Sequence, residues 1–389
     1  MRDVNGEPFD KGAGGRGLSE PFGVRCAQAG AAVRRLHAGA LLASDPATIR
    51  WLVGRQIEIG WGPLYPVSAG TFVAVNLDGR STVLCPEGEA ASGPMIPGVT
   101  VQTYETLTAG PLRPFSNLRG LIDGLGRAAQ LPTGTPWAIE AHAHPAALLP
   151  DGEWVDAADA LRALRFVKDP SEVDRLEVAA RVASEGQRVF RASAEPGISE
   201  IDLFSFVHAA MERVARERVP TLVDLMSGPR MMTVGTPPVD RRIGADELAL
   251  CDLGVRVDGY WSDSCTTICV GHPTAEMRRL HGACQRALDL GIALAKPGVV
   301  AGDLDRQLRE TMSDAGYSYP HHSGHGVGTG FHEEPRLVPG AVSTLEEGMV
   351  IALEPAGFGH GIGCRLEHLM EVTPSGGRVL TEYDLRLDQ

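Results

Sequence analysis

Short apolar runs separated by turn residues fill the stretch from about Gln28 to Leu164, and their spacing predicts an α/β unit. Leu41-Leu42-Ala43-Ser44 reads as a strand and Ala47 to Leu52 as a short helix. Thr71 to Val75 and Ser81 to Leu84 read as paired strands that turn at Asp78-Gly79. No chemical motif falls in this unit. Past Arg165 the period changes. Pro170 and Ser171 announce a helix, with Asp174 three residues after Ser171 as a capping-box variant. Val173, Leu176, Ala180, Ala183 and Val189 trace its apolar stripe, and a second helix is predicted from near Ser199 toward Arg218.

The C-terminal half repeats itself. Ala194-Glu195-Pro196-Gly197-Ile198 with Asp202-Leu203 recurs 101 positions later as Ala295-Lys296-Pro297-Gly298-Val299 with Asp303-Leu304. Each copy opens a helix and is followed by an acidic hairpin: Leu248 to Ile268, turning at Val257-Asp258-Gly259, and Val350 to Val372, turning around Gly359 to Gly363. Asp252 maps near Glu354 and Asp263 near Glu367, at offsets of 102 and 104. A structural repeat would set the hairpins about a pseudo-two-fold axis and bring four carboxylates together there.

Each of these acids sits in an apolar strand. Leu248, Leu250 and Asp252 share one strand face, Glu354 follows Val350-Ile351-Ala352-Leu353, and Glu367 stands between Leu366 and His368-Leu369-Met370. A buried carboxylate is costly alone, and several together repel unless a cation neutralises them. A divalent metal resolves this, and oxygen ligands with one imidazole suit Mn, Co, Zn or Fe. The imidazole comes from Pro320-His321-His322-Ser323-Gly324-His325-Gly326-Val327-Gly328, where glycines on both sides of His325 permit close backbone approach. His332-Glu333-Glu334-Pro335 lacks the second histidine of a helical HExxH zinc site.

Composition narrows the classes. The 389 residues imply two domains, 43% hydrophobic and 22% charged, ordinary for a globular chain. A formal net charge of −13 without a Lys/Arg-rich run argues against nucleic-acid or anionic-membrane partners. No apolar run approaches the roughly 20 residues that span a bilayer. The first 22 residues are Gly-rich and polar and read as a flexible tail, and 7 Cys without CxxC pairing fit a reducing cytoplasm.

At Asp252-Leu253-Gly254, Gly259-Tyr260-Trp261-Ser262-Asp263, Gly324-His325-Gly326-Val327-Gly328, His332-Glu333-Glu334-Pro335, Leu353-Glu354-Pro355 and Arg365-Leu366-Glu367 the chain resembles the creatinase, prolidase and aminopeptidase P family with its pita-bread fold. The resemblance implies a creatinase-like N-terminal α/β domain over residues 23–165. It implies an α+β pita-bread catalytic domain with a pseudo-two-fold repeat over residues 166–389. Two divalent ions, Mn before Co, Zn or Fe, are then expected on Asp252, Asp263, His325, Glu354 and Glu367. The implied reaction is Xaa-Pro dipeptidase or aminopeptidase chemistry, cleaving a C–N bond with a metal-bridging hydroxide. Glu354 is expected as general base, with His321 and His332 bonding the substrate carbonyl and intermediate. Arg365 is expected to anchor a substrate carboxylate. The resemblance also implies a homodimer.

Two positions depart from the family. Where it places a histidine after Ser227-Gly228 this chain has Gly235, and after Asp263 the run Ser264-Cys265-Thr266-Thr267 puts Thr266 in place of an arginine. These departures motivate an alternative, a specialised member acting on a non-peptide metabolite as creatinase- or ectoine-type hydrolases do, or a lyase. Family members that only bind proteins usually lack metal ligands, which this chain retains. Trp51, Trp61 and Tyr65 fit pocket lining and core packing equally.

Overall fold

In the N-terminal half the alternating runs become strands because one mixed sheet buries both of its faces. The computed structural model describes residues 20–55, 70–87, 96–104, 116–129, 134–149 and 152–388. The chain divides into two units, Ser19–Arg165 and Phe166–Gln389. The first contains α1 (Phe22–Arg35), β1 (Ala40–Ala43), α2 (Pro46–Val53), β2 (Phe72–Asn76), β3 (Ser81–Pro86), β4 (Val99–Tyr104), α3 (Ser116–Ala128), β5 (Trp137–Ile139), β6 (Trp154–Asp156) and α4 (Ala158–Ala163). Its strands lie in the order β4-β3-β2-β1-β5-β6. The β2–β3 hairpin turns at Asp78-Gly79, with Gly79 at φ 86°. Asp45 caps α2 by accepting from the Ala47 N–H, and Pro46 opens the helix.

Glu20, Pro21 and Phe22, expected in the tail, are ordered. Glu20 pairs with Arg25 and Arg50, and Phe22 starts α1. Trp51 is buried in the sheet's core beside Arg25, which favours packing over pocket lining. Trp61, Tyr65 and the residues before Glu20 lie outside the described residues.

The second unit contains α5 (Pro170–Ser193), α6 (Glu200–Ala215), β7 (Thr221–Ser227), β8 (Glu247–Val257), β9 (Tyr260–Ser262), β10 (Cys265–Val270), α7 (Ala275–Leu294), α8 (Ala301–Asp314), β11 (Gly324–Gly326), β12 (Glu333–Leu337), β13 (Val350–Leu353), β14 (Ala356–Gly359), β15 (Ile362–Arg365), β16 (His368–Thr373) and β17 (Gly376–Val379). The cap of α5 is Asp169, not Ser171. Asp169 accepts from the backbone of Ser171 and Glu172, and Glu172 closes the capping box. Proline at the first helical position fixes the chain direction, so the capping side chain comes from the residue before it.

Two halves of this unit match. α5 and α6 pack on a sheet ordered β10-β8-β7, with β9 on β8, while α7 and α8 pack on β12-β11-β13-β16-β17. Each fully buried Leu or Val in these layers contributes roughly 1.5–3 kcal/mol. The repeated Pro-Gly turns make the same bond in both copies: Gly197 N–H donates to the Ile243 carbonyl at 2.8 Å, and Gly298 N–H to the Leu345 carbonyl at 2.9 Å. Both glycines take positive φ, 95° and 91°, which a side chain would resist. The pseudo-two-fold repeat read from the sequence is therefore present in the backbone.

Candidate metal centre

The first acid pair is positioned by strand alternation. On β8, Leu248 and Leu250 join one core cluster with Met226 and Cys265, while Ala249, Cys251, Leu253 and Val255 join another under α5 and α6. Asp252 is next in the Leu248–Leu250 row, opposite Cys265 of β10 and Asp224 of β7. Asp263 follows the short strand β9 and accepts from the Ser264 N–H at 3.0 Å. Gln187 of α5 holds that corner, donating to the carbonyls of Cys251 and Ser264 at 3.1 and 2.9 Å.

The second half delivers its ligands from a histidine loop and two strand ends. His325 lies on β11, between β12 and β13. A Cβ on Gly324 would meet the Ala352 carbonyl oxygen at 2.2 Å, and one on Gly326 the Glu334 carbonyl oxygen at 2.2 Å. The flanking glycines thus allow the strands to close around His325. The loop before it is braced from α8. Arg309 donates to the carbonyls of Tyr319 and His321, and Ser323 donates to Asp305. Glu354 follows β13 and its N–H donates to the Ser323 carbonyl at 2.9 Å. Glu367 follows β15 and its N–H reaches the Cys265 carbonyl of the first half at 2.9 Å.

These five side chains converge. His325 Nε2 lies 3.4 Å from Asp263 Oδ2 and 3.7 Å from Glu354 Oε1. Ligand atoms of Asp263, His325 and Glu367 lie within 4.8 Å of one another, as do those of Asp252, Cys265 and Glu367. His325 Nδ1 is 3.0 Å from the Gly326 carbonyl, so it carries the proton and leaves Nε2 available to a cation. Asp252, Asp263, His325 and Glu354 line a cavity of about 210 Å³ with Leu222, Val223, Val234 and Phe331 on its apolar wall.

The electrostatics fit a divalent cation. Burial, followed by repulsion from Asp263, Asp252 and Glu354, pushes the Glu367 carboxyl well up. Asp252 is raised too, by burial first, although Arg365 opposes the shift. Glu367 Oε1 is buried without a hydrogen-bond partner among the described residues. An orphaned oxygen among acids forced toward protonation is a deficit of positive charge. Four carboxylates and one imidazole nitrogen supply the hard donor set that fits a divalent ion there.

The remaining expected residues fall around this cluster. His321 lines the cavity with Nδ1 at 2.7 Å from the His322 carbonyl, and its Nε2 has no hydrogen-bond partner among the described residues. Burial lowers its pKa to about 4. His332 is exposed at the cavity, its ring 4.0 Å from that of His325 and stacked on Phe331. Although the residue as a whole is exposed, the rings packed around its imidazole desolvate it, and this, followed by its neighbour His325, takes its pKa to about 3, so both histidines are neutral at ordinary pH. Arg365 is buried, bonded to Asp252, and lies 3.6 Å from Asp224 and 4.0 Å from Glu354. Gly235 lines the cavity at φ 73°, and a Cβ there would meet nothing within 4 Å. Thr266 and Cys265 are both buried, and Cys265 Sγ stands at the acid cluster with its thiol pKa pushed up by burial.

Three site residues were not expected from the sequence. Asp224 interrupts the apolar run Leu222 to Met226, the same signal that exposed Asp252. His322 is visible in the histidine cluster but not separable there from its neighbours. Arg336, which donates to His322, is brought in by the β11–β12 register and leaves no local signal.

This fold and its acidic centre define a class, the pita-bread metal-dependent hydrolases. The chain matches the profile of metallopeptidase family M24 over residues 174–374, more than half its length, and belongs to that family. It is 30% identical over 243 residues to an uncharacterized peptidase of Bacillus subtilis (strain 168), covering 62% of this chain and 69% of the relative. It is 31% identical over 235 residues to the Xaa-Pro dipeptidase of Lactobacillus helveticus, covering 59% of this chain and 63% of that enzyme. The prolidase from Pyrococcus horikoshii OT3 superposes with a TM-score of 0.79 at 23% identity, covering 94% of this chain and 99% of that one. Among the described residues no helix is long and apolar enough to cross a membrane.

Proposed function

We propose that the chain is a dinuclear metallohydrolase of the Xaa-Pro dipeptidase or aminopeptidase type, acting on short peptides. The observation that carries this is the convergence of Asp252, Asp263, His325, Glu354 and Glu367 from both halves of the repeat on one cluster at the cavity. Two divalent cations held by these residues, Mn in the first instance, would supply a water nucleophile acidified to near neutral pH and a Lewis acid for the scissile carbonyl. A cytoplasmic homodimer is the setting this reading assumes, and the seven free cysteines suit a reducing compartment.

The chain's own groups then divide the work. Glu354 accepts the proton of the attacking water and returns it to the leaving nitrogen as the C–N bond breaks. Its carboxyl is pushed up by burial, but the His322 hydrogen bond and the Arg365 charge outweigh that, so it stays ionised and able to accept a hydrogen bond from water. Neutral His332 offers an N–H to the carbonyl oxygen as charge develops on it. His321 has committed its N–H to a backbone carbonyl, so its Nε2 accepts from a substrate N–H. Leu222, Val234 and Phe331 provide an apolar face for a proline ring or similar side chain.

One observation favours a second reading. Arg365 is the only Lys or Arg lining the cavity among the described residues, and its guanidinium is engaged by Asp252 and Asp224. A dipeptide's carboxylate would have to exchange those bonds. A substrate without a carboxylate there, a longer peptide or a non-peptide amide, needs no such exchange. The test is hydrolysis of Xaa-Pro dipeptides, Xaa-Pro-Xaa tripeptides and Xaa-Pro amides by protein loaded with Mn or Co, with Glu354→Ala as control. Dipeptide cleavage lost in the control supports the dipeptidase. Cleavage of tripeptides and amides alone supports the carboxylate-free reading. No cleavage of any of them by folded, metal-replete protein overturns the peptidase proposal.

A further inference from the structure

Three neighbouring histidines of one loop present their rings to the same cavity, and their Nδ1 partners sort them into two kinds. His321 and His325 each place Nδ1 against a backbone carbonyl, at 2.7 and 3.0 Å, so in the neutral ring the proton is on Nδ1 and Nε2 is bare. His322 is the reverse. Its Nδ1 faces Arg336 Nη2, and a guanidinium has only donors, so Nδ1 must accept. The proton is then on Nε2, which lies 2.7 Å from Glu354 Oε1.

His322 is therefore not a nitrogen ready for a cation, although its ring lies with those of His325 and His332 in a cluster whose ligand atoms fall within 4.8 Å. It is a donor aimed at a carboxylate. Arg336 reaches it from β12, where it stands opposite His325, and its own N–H donates to the Glu334 carboxylate at 2.8 Å. Both partners are partly buried, and the His322 side chain is only 14% exposed, so water competes weakly for the bond.

We propose that Arg336 and His322 form a positioning relay for Glu354. Arg336 fixes the tautomer of His322, and His322 in turn holds Glu354 Oε1, the oxygen that lies 3.7 Å from His325 Nε2. The relay serves the proposed metal centre and rests on the reading of Glu354 as one of its ligands. Outer-sphere donors of this kind change metal affinity by about 10- to 100-fold.

The experiment measures Co(II) binding by titration calorimetry and the Co(II) visible absorption spectrum for four variants of the full chain. His322→Ala is expected to weaken Co(II) binding about 10-fold or more. His322→Gln, which keeps an N–H donor at a similar reach, is expected to restore affinity to within about threefold of the parent while leaving the parent spectrum in place. Arg336→Met frees the imidazole to ligate, so its spectrum should change. Equal losses in His322→Ala and His322→Gln with a shifted spectrum in both would make His322 a ligand and overturn the relay. Parent affinity and spectrum in His322→Ala would make it a bystander and overturn it as well. Glu354→Gln separates the two levels of inference: unchanged Co(II) affinity and spectrum in that variant would refute the ligand role of Glu354 itself. Circular dichroism of each metal-free variant excludes unfolding as the cause of a loss.

Discussion

Asp224 and Asp252 stand directly opposite each other on β7 and β8, and one guanidinium, that of Arg365, faces both. Like charges opposed across a strand pair destabilise it, and this pair is placed against a further set of buried acids. Asp224→Asn removes one charge while keeping the acceptor for the Gly235 N–H, which lies 2.9 Å away. The metal-free variant should melt higher than the parent by a few degrees, since about 1 kcal/mol moves Tm by about 2–4 °C at this size. The rise in Tm on adding Mn should shrink. Thermal melts with and without Mn check both, and a lower metal-free Tm would show that Arg365 gains more from Asp224 than the repulsion costs.

Removing metal should make stability fall as pH rises. Asp252 and Glu367 are raised above their ordinary carboxyl range, by burial first and then by neighbouring acids. Between the unfolded and folded pKa values the native state binds more protons than the unfolded chain, so its stability is present at low pH and is lost as pH climbs through the folded values. Protein stripped with a chelator should lose Tm steadily from about pH 5 upward. Protein saturated with Mn should lose little over that span, because the cation replaces the protons. A chelated protein with a flat profile would mean that these acids do not share one buried cluster.

The fold was legible in the sequence wherever a local period decided it. The Asp78-Gly79 hairpin, the helix after Pro170 and the duplicated Pro-Gly turns at Gly197 and Gly298 all sit where the pattern put them. The α5 cap was displaced to Asp169 because proline occupies the first turn. The four acids of the proposed centre stood out because charge in an apolar strand is conspicuous, and His325 because glycines flank it in a histidine-rich loop. Asp224 carried that same signal and lacked only a partner in the repeat. Arg336 and the orientation of Arg365 are products of strand register and of three-dimensional charge pairing, which no local spacing encodes. The tautomers of His321 and His322 depend on what each Nδ1 meets, so adjacent identical residues diverge in role.

The loop that carries His332 is tied down by a buried ion pair. Lys168 Nζ lies 3.0 Å from Glu333 Oε2, with side chains only 1% and 3% exposed, and Glu333 Oε1 accepts from the Gly330 N–H at 2.9 Å. Lys168→Ala removes this ammonium from beside the buried Glu333 carboxylate, at a cost of about 3–5 kcal/mol. The expected result is a large drop in urea midpoint with no change in slope. The paired change Lys168→Met with Glu333→Gln should recover much of it, because the buried carboxylate charge is then gone. Equal destabilisation by the single and double changes would show that the charge is not the cause.

Gly235 offers the sharpest test of what the cavity is for. Its position takes a histidine in the family pattern, and here the space beyond it is open, with nothing within 4 Å of where a Cβ would stand. The obstacle to a side chain is the backbone, held at φ 73° and bonded through its N–H to Asp224. An L-residue in that region costs about 1–2 kcal/mol, so Gly235→His should fold with a Tm a few degrees lower. If the natural substrate is an Xaa-Pro peptide, the added imidazole supplies a polar contact that the parent lacks, and kcat/KM for such peptides should rise by about tenfold, equivalent to about 1.4 kcal/mol of transition-state binding. If the substrate is a smaller non-peptide amide, the side chain fills space that substrate uses, and turnover of it falls while peptide cleavage stays low. The ratio of the two rates in Gly235→His against the parent, measured on metal-replete protein, separates these outcomes even though both proteins share the same metal ligands.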